Sequence, residues 1–277
     1  MTAFGPAGIP ISCKGSNVDG IKYSSKIGLN AYEINFSRGV RISDDAANSI
    51  RRYAEKNNIR LSCHAPYFIN CNNPDKYEIT RRHLINSIAA SEKLGLRRIV
   101  FHTGFLLGSG RSNAVKESIK TIKKIVSEAN EMGFHNFVLG PEVAGKKSQI
   151  GTMEDLIEIC KECRECRPVI DWAHLHALSN GCLKKRKDFI RPLEMIREEL
   201  GKSYLKGLHC HFSEIEYTEK GEKRHHPLGS GWGPDFHILA EVIRDMKLDL
   251  TIISESPLIE MDALRMKAIL NNAEGIS

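Results

Sequence analysis

RRIVFHTGFLLGSGRSNAVKESIKTIKKIVSEANEMGFHNFVLGPE, residues 97–142, contains one complete β–α–β unit. RRIVFH (97–102) is short and rich in β-branched residues, which predicts a strand. From about Asn113 to Met132 the apolar positions recur at helical spacing, and Gly133 stops the run. NFVLGPE (136–142) predicts the next strand. Neither strand alternates apolar with polar residues. Such runs are buried on both faces, as in a parallel sheet covered by helices. Each strand closes on a side chain able to bind a cation, His102 in one and Glu142 in the other.

Working outward, the same unit repeats along the chain. Strands are predicted at 9–13, 31–36, 59–64, 167–172, 204–212 and 248–255. Helices are predicted near 18–27, after Ser43, over 76–94, after Thr152, and near 188–200, 235–246 and 261–271. With the opening unit this makes eight βα units, and no linker or low-complexity tract interrupts them. The expectation is an α/β fold: one (β/α)8 TIM-barrel domain over residues 1–277, with its site at the C-terminal ends of the strands. An open doubly wound sheet is the alternative, and site residues on six strand ends favour closure. The longest loop, Ser213–Pro234, would rim that mouth.

The 277-residue length suits such a barrel, and 41% hydrophobic residues can fill one core. A net charge of +6 permits a polyanionic partner without demanding one. No run is long enough for a membrane span, and MTAFGPAGIPISCKG does not read as a signal peptide. The expectation is therefore a cytoplasmic protein with free thiols among its eight cysteines. Cys160, Cys163 and Cys166, with Cys182, have spacing reminiscent of zinc or iron–sulfur ligation. One helical stripe of packing residues explains the same three. Cys13, Cys63 and Cys210 read as core strand residues.

The strand ends carry His64, His102, Glu142, Asp171 with His174 close behind, His209 and His211, and Glu255. A barrel brings such residues to one point, where imidazoles and carboxylates suit Zn²⁺, Mn²⁺ or Fe²⁺. His209 and His211 lie two apart and share a strand face. His209 is the preferred ligand and His211 an additional one, while His176 reads as a loop residue. Glu222 and His225 lie in the long loop over the mouth.

HAPY (64–67), FHTG (101–104), PEVAG (141–145), IDWAH (170–174), GLH (207–209), RHHPLGSG (224–231) and SESP (254–257) occur in this order over nearly the whole chain. Together they resemble endonuclease IV, of the xylose-isomerase-like TIM barrels. The resemblance implies a zinc-dependent DNA-repair endonuclease that hydrolyses the phosphodiester 5′ to an abasic site and leaves a 3′-hydroxyl. It implies two or three Zn²⁺ per chain, Mn²⁺ or Fe²⁺ being alternatives. His64, His102 and Glu142 would hold one. Glu142, Asp171, His209 and Glu255 would hold the second, and Glu142, Asp171 and Glu255 would be the catalytic carboxylates. His174 and His225 would hold the third. The family's aspartate two residues before that last histidine is here Lys223, so Glu222 is the expected substitute. Tyr67, Arg38 and Arg41 would contact double-stranded DNA; no membrane or protein partner is implied. A sugar isomerase or epimerase of the same superfamily is the rival reading, needing one divalent metal and four ligands.

Overall fold

The first barrel strand is Ala3–Pro6 (β1), not residues 9–13. β1 must approach the next strand closely, and Gly5 permits it: a Cβ there would collide with the Ala31 carbonyl oxygen. The apolar residues that suggested a later strand, Ile9 and Ile11, are exposed on the following loop. Cys13 also lies there, partly exposed rather than in a strand. The structure is a computed structural model and describes residues 1–272.

The chain continues through β2 (Ala31–Asn35), β3 (Arg60–His64), β4 (Arg98–Phe101), the short β5 (Gly104–Phe105), β6 (Val138–Pro141), the short β7 (Gln149–Ile150), β8 (Val169–Asp171) and β9 (Leu208–Phe212). A hairpin, β10 (Glu214–Thr218) and β11 (Gly221–His226), precedes β12 (Leu250–Ser254). Two parallel four-stranded sheets, β1-β12-β9-β8 and β2-β3-β4-β6, form the wall. They meet through parallel bridges, Ala7 with Glu33 and Glu142 with Val169. Gly8 N–H donates to Glu33 O at 2.8 Å across one seam, and Val143 N–H to Val169 O at 3.1 Å across the other. The sheet closes on itself, which excludes the open doubly wound alternative.

Helices α1 (Asn17–Lys26), α2 (Asp44–Asn57), α3 (Tyr77–Leu94), α4 (Arg111–Glu131) and α5 (Met153–Glu162) follow the early strands. Ser43 and Thr152 cap α2 and α5 by accepting from Ala46 N and Asp155 N. Gly95, at φ +66°, ends α3. The later helices are α6 (Trp172–Leu178), α7 (Arg186–Glu199), α8 (Phe236–Asp245) and α9 (Glu260–Asn272). No helix among the described residues is long and apolar enough to cross a membrane.

Three departures from expectation concern the site. Residues 202–205 form a 3-10 turn, so β9 begins only at Leu208. The long loop after β9 folds into the β10–β11 hairpin. And α6 starts immediately after β8, because the Asp171 carboxylate caps it by accepting from His174 N at 2.8 Å. His174 and His176 therefore ride on a helix.

Side chains alternate along each strand. Ile99, Phe101, Leu139, Ile170, Cys210 and Ile252 face the helices in two apolar layers. Their neighbours face the barrel axis. Cys71, Cys160, Cys163 and Cys166 belong to one of those layers. Among the described residues, no group of cysteines has metal-ligand spacing.

Candidate metal centre

Three ligand groups come together at the mouth formed by the C-terminal strand ends. His64, His102 and Glu142 form one; Glu142, Asp171, His211 and Glu255 the second; His174, Glu222 and His225 the third. Glu142 belongs to two of them. Its Oε2 lies 3.1 Å from His64 Nε2 and 3.4 Å from His102 Nδ1, and its Oε1 lies 2.7 Å from His211 Nδ1. His211 Nδ1 is also 3.3 Å from Glu255 Oε1. His174 links the second and third groups: Nδ1 is 3.3 Å from Asp171 Oδ2, and Nε2 is 2.8 Å from Glu222 Oε2.

Backbone and hydroxyl groups fix which ring nitrogen faces the centre. His64 Nδ1 donates to Ala65 O at 2.8 Å and His174 Nδ1 to Val143 O at 2.9 Å. His225 Nδ1 shares a 2.7 Å hydrogen bond with Ser213 Oγ. Each ring thereby presents Nε2 inward. Such outer partners set tautomer and orientation at metal-binding histidines.

His209 does not occupy the place expected of it. The β8–β9 register pairs Asp171 with His211 and Val169 with His209. His209 is thus two residues, roughly 7 Å, further down the barrel. There its Nε2 meets Glu33 Oε2 at 3.0 Å. Glu33 is a buried carboxylate in the middle of β2, missed in the sequence because it ends no strand. Ser62 Oγ donates to it at 2.8 Å, and its Oε1 sits 3.0 Å from His211 Nε2. Glu33 therefore backs the His211 ring from the side opposite Glu142. Glu33, His209 and His211 also lie close enough to form a group of ligand type themselves.

Glu222 reaches the third group through a β-bulge. Glu216 pairs with Arg224 and Tyr217 with Glu222, leaving Lys223 as the extra residue. The bulge changes the facing of the strand by one residue. Glu222, three residues before His225, consequently shares its side, while Lys223 points outward and donates to Glu216. Gly145 makes room below: a Cβ there would collide with Glu222 Oε2.

The charges are strongly interdependent. Burial opposes the charge on Glu142, but the imidazoles of His102, His211 and His64 outweigh it and hold the carboxyl well below the usual range. Burial likewise disfavours charge on His211 and His174; Glu33, Glu255 and Glu142 around the first, and Asp171, Glu222 and Glu142 around the second, raise both well above 6.5. Burial, aided by Glu142 and Asp171, pushes Glu255 up to about 7 against the pull of His211. Burial lowers His102 to about 4, and His64 and His174 add to it. Three buried polar atoms in this cluster, His102 Nδ1, Asp171 Oδ2 and His211 Nε2, have ionisable neighbours at 3.4, 3.3 and 3.0 Å but none in hydrogen-bond geometry. Buried polar atoms are rarely left so. Nitrogen and oxygen atoms left without hydrogen bonds, gathered around carboxylates, suit the coordination of divalent cations.

The mouth opens into a cavity of about 310 Å³, lined by Tyr67, His102, Phe105, His174, Glu222 and Glu255 among others. The Tyr67 ring lies 5.3 Å from that of His64. Its hydroxyl is pushed up to about 12, by burial first and then by Glu255. Arg38 and Arg41 are exposed on the loop after β2, outside the ligand groups. In the basic run at 184–187, Arg186 pairs with Asp245 and Glu241 on the outer helix α8.

A closed parallel barrel with ligands at its C-terminal mouth defines a class, and the family follows from the sequence. The model of the xylose isomerase-like TIM barrel family matches residues 21–271. The chain belongs to that family. It is 31% identical to an uncharacterised protein of Methanocaldococcus jannaschii, over 98% of this chain and 97% of that one. A probable endonuclease 4 of Mycoplasma mobile is 27% identical, over 81% of this chain and 79% of its own length. Among solved structures, endonuclease IV from Thermus thermophilus superposes with a TM-score of 0.73 at 18% identity, covering 96% of this chain and 99% of that one. A D-tagatose 3-epimerase-like protein gives 0.68 at 19% identity, with 96% of each chain covered. At these identities the two structures attest the fold.

Proposed function

We propose that the chain is a metal-dependent DNA-repair endonuclease that hydrolyses the phosphodiester 5′ to an abasic site, leaving a 3′-hydroxyl, with two or three Zn²⁺ ions per chain. Mn²⁺ or Fe²⁺ suits the same donors. The observation that carries this reading is the continuity of the three ligand groups through Glu142 and His174 into one cavity. His64, His102 and Glu142 would hold one ion; Glu142, Asp171, His211 and Glu255 the second; His174, Glu222 and His225 the third. Divalent cations at such a site supply an ionised water at neutral pH and offset charge on phosphate oxygens.

The protein's own groups then have defined tasks. Glu142 directs one oxygen to each of two groups and keeps both negative. Glu33 and the Val143 carbonyl hold the His211 and His174 rings in place. Tyr67 keeps its proton at neutral pH and can donate to a sugar or phosphate oxygen at the rim. Phe68, Phe105 and Leu107 are exposed apolar side chains, suited to fill the space of a missing base. Arg38 and Arg41 would meet phosphates.

A sugar isomerase or epimerase would need only Glu142, Asp171, His211 and Glu255. His64, His102, His174, Glu222 and His225 would then have no part in the chemistry, which favours the nuclease. The test is a duplex carrying a tetrahydrofuran abasic analogue, which cannot undergo β-elimination. The metal-loaded protein should nick it on the 5′ side, and EDTA should stop the reaction. An intact duplex together with ketose–aldose interconversion or epimerisation would establish the sugar reading instead.

A further inference from the structure

The opposite, N-terminal mouth of the barrel holds a second cavity, of about 570 Å³. Its walls are the lower ends of β3, β4, β6 and β12 and the turns that feed them, and His209 reaches it from above. The hydrogen-bonded His209–Glu33 contact lies between this cavity and Glu142.

The lining is markedly cationic. Arg51, Arg60, Arg97, Arg98 and Arg167 face it, with Glu55 as the lining carboxylate. Arg51 pairs with Glu55 at 2.9 Å, and Arg60 with Asp249 at 2.7 Å. Among the described residues, Arg97, Arg98 and Arg167 have no carboxylate within 4.0 Å. Arg167 lies 3.9 Å over the Tyr204 ring, and its Nη1 donates to Cys166 O. Arg98 makes one side-chain hydrogen bond, a 3.3 Å contact from Nη1 to Arg167 O. Burial lowers its guanidinium to about 10, and the neighbouring Arg167 pushes the same way. At neutral pH it remains charged.

A guanidinium withdrawn from water is normally matched by an anion. Here the chain places the half-buried Arg98 beside the half-buried Arg167, with the exposed Arg97 next in sequence, and supplies no carboxylate for any of the three. Their planar forks match the oxygens of a phosphate group. The volume is that of a small-molecule pocket at the end of the barrel.

We infer that this N-terminal cavity binds a small phosphate-bearing anion, with Arg98, Arg97 and Arg167 as its principal contacts. The site is distinct from the metal centre and independent of the reaction proposed there.

The experiment is calorimetric titration of the metal-loaded protein with inorganic phosphate and, separately, with AMP, at moderate chloride concentration. The same titrations are run on Arg98→Met, Arg97→Ala and Glu142→Gln. Saturable binding should weaken by about tenfold or more in Arg98→Met, and less in Arg97→Ala, as expected for loss of a charged hydrogen bond. It should persist in Glu142→Gln, whose altered residue lies at the other mouth. Tighter binding of AMP than of phosphate would assign a nucleotide ligand, and equal binding would assign the free ion. Arg97 is exposed, so its variant keeps the test valid if Arg98→Met unfolds. The inference falls if no saturable binding occurs, or if binding survives undiminished in both arginine variants, whatever Glu142→Gln does.

Discussion

The ligand groups are built on two kinds of support. His64, Glu142, Asp171 and His211 stand on or directly after barrel strands, held by the continuous ladder around the wall. His174, Glu222 and His225 stand on α6 and the β10–β11 hairpin, elements added on top of it. The strand-borne part is fixed by closure of the barrel. The appended part depends on a helix cap, a bulge and a glycine. The difference teaches that the first two groups and the third can vary separately, and four measurements can break or sharpen that division.

The largest effect is expected at the residue the strand-borne groups share. Glu142→Gln preserves shape and removes the charge that faces both His64 and His211; activity should fall on the order of 10³-fold and metal content should drop, with folding retained by circular dichroism. Normal metal content and rate would remove Glu142 from the centre. Next comes the appended group. Glu222→Ala should cost about one metal equivalent by elemental analysis and roughly 10²-fold in nicking rate, while the remaining ions stay bound. Loss of all ions together would show that the two parts are one cooperative unit. Third, Glu33→Gln should weaken binding at the second group by roughly tenfold, since outer-shell partners of metal-binding histidines contribute at that scale. An unchanged affinity in competition with a chromophoric chelator would make Glu33 a packing residue only.

The smallest effect is on stability against pH. His211 and His174 have folded pKa values raised above 6.5, so without metal their contribution to stability is fully present below that value and is lost as pH rises through the raised values. Glu255, raised from 4.5 to about 7, shifts stability in the same direction at lower pH. His102 and His209, lowered to about 4, act the other way below about pH 6.5, so the metal-free protein should lose stability as pH rises above about 7. Stabilisation by added Zn²⁺ should grow over the same window, because cations compete with those protons. A pH-independent difference in unfolding temperature between the two forms would contradict this.

Much of the barrel was legible because several helices had their own punctuation: Ser43, Gly95 and Thr152 act locally, and a local signal survives in one dimension. β1 was misplaced because IPISC is the more apolar segment, whereas AFGP becomes a strand through contacts with distant β2 and β12. The period of two correctly put His209 and His211 on one face. Height along the axis is set by pairing with β8, and the pairing of Asp171 with His211 is information that neither segment carries alone. Glu33 escaped notice for a different reason: it sits mid-strand, where no neighbouring letter marks a carboxylate as facing the barrel axis. The strand that continued to 212 did begin later than expected, since residues 202–205 form a 3-10 turn and Gly207 takes φ +66° just before Leu208.

Lys223 shows how spacing encodes a site. Along an unbroken strand, even separations mean the same side and odd separations the opposite side. The bulge at Lys223 reverses that parity, so an odd gap of three residues places Glu222 and His225 together. A pattern with a fixed gap reads a lysine where it seeks an acid and registers a missing ligand. The folded chain has instead absorbed a one-residue phase change within the hairpin, and what it preserves is the side of the strand rather than the count between letters.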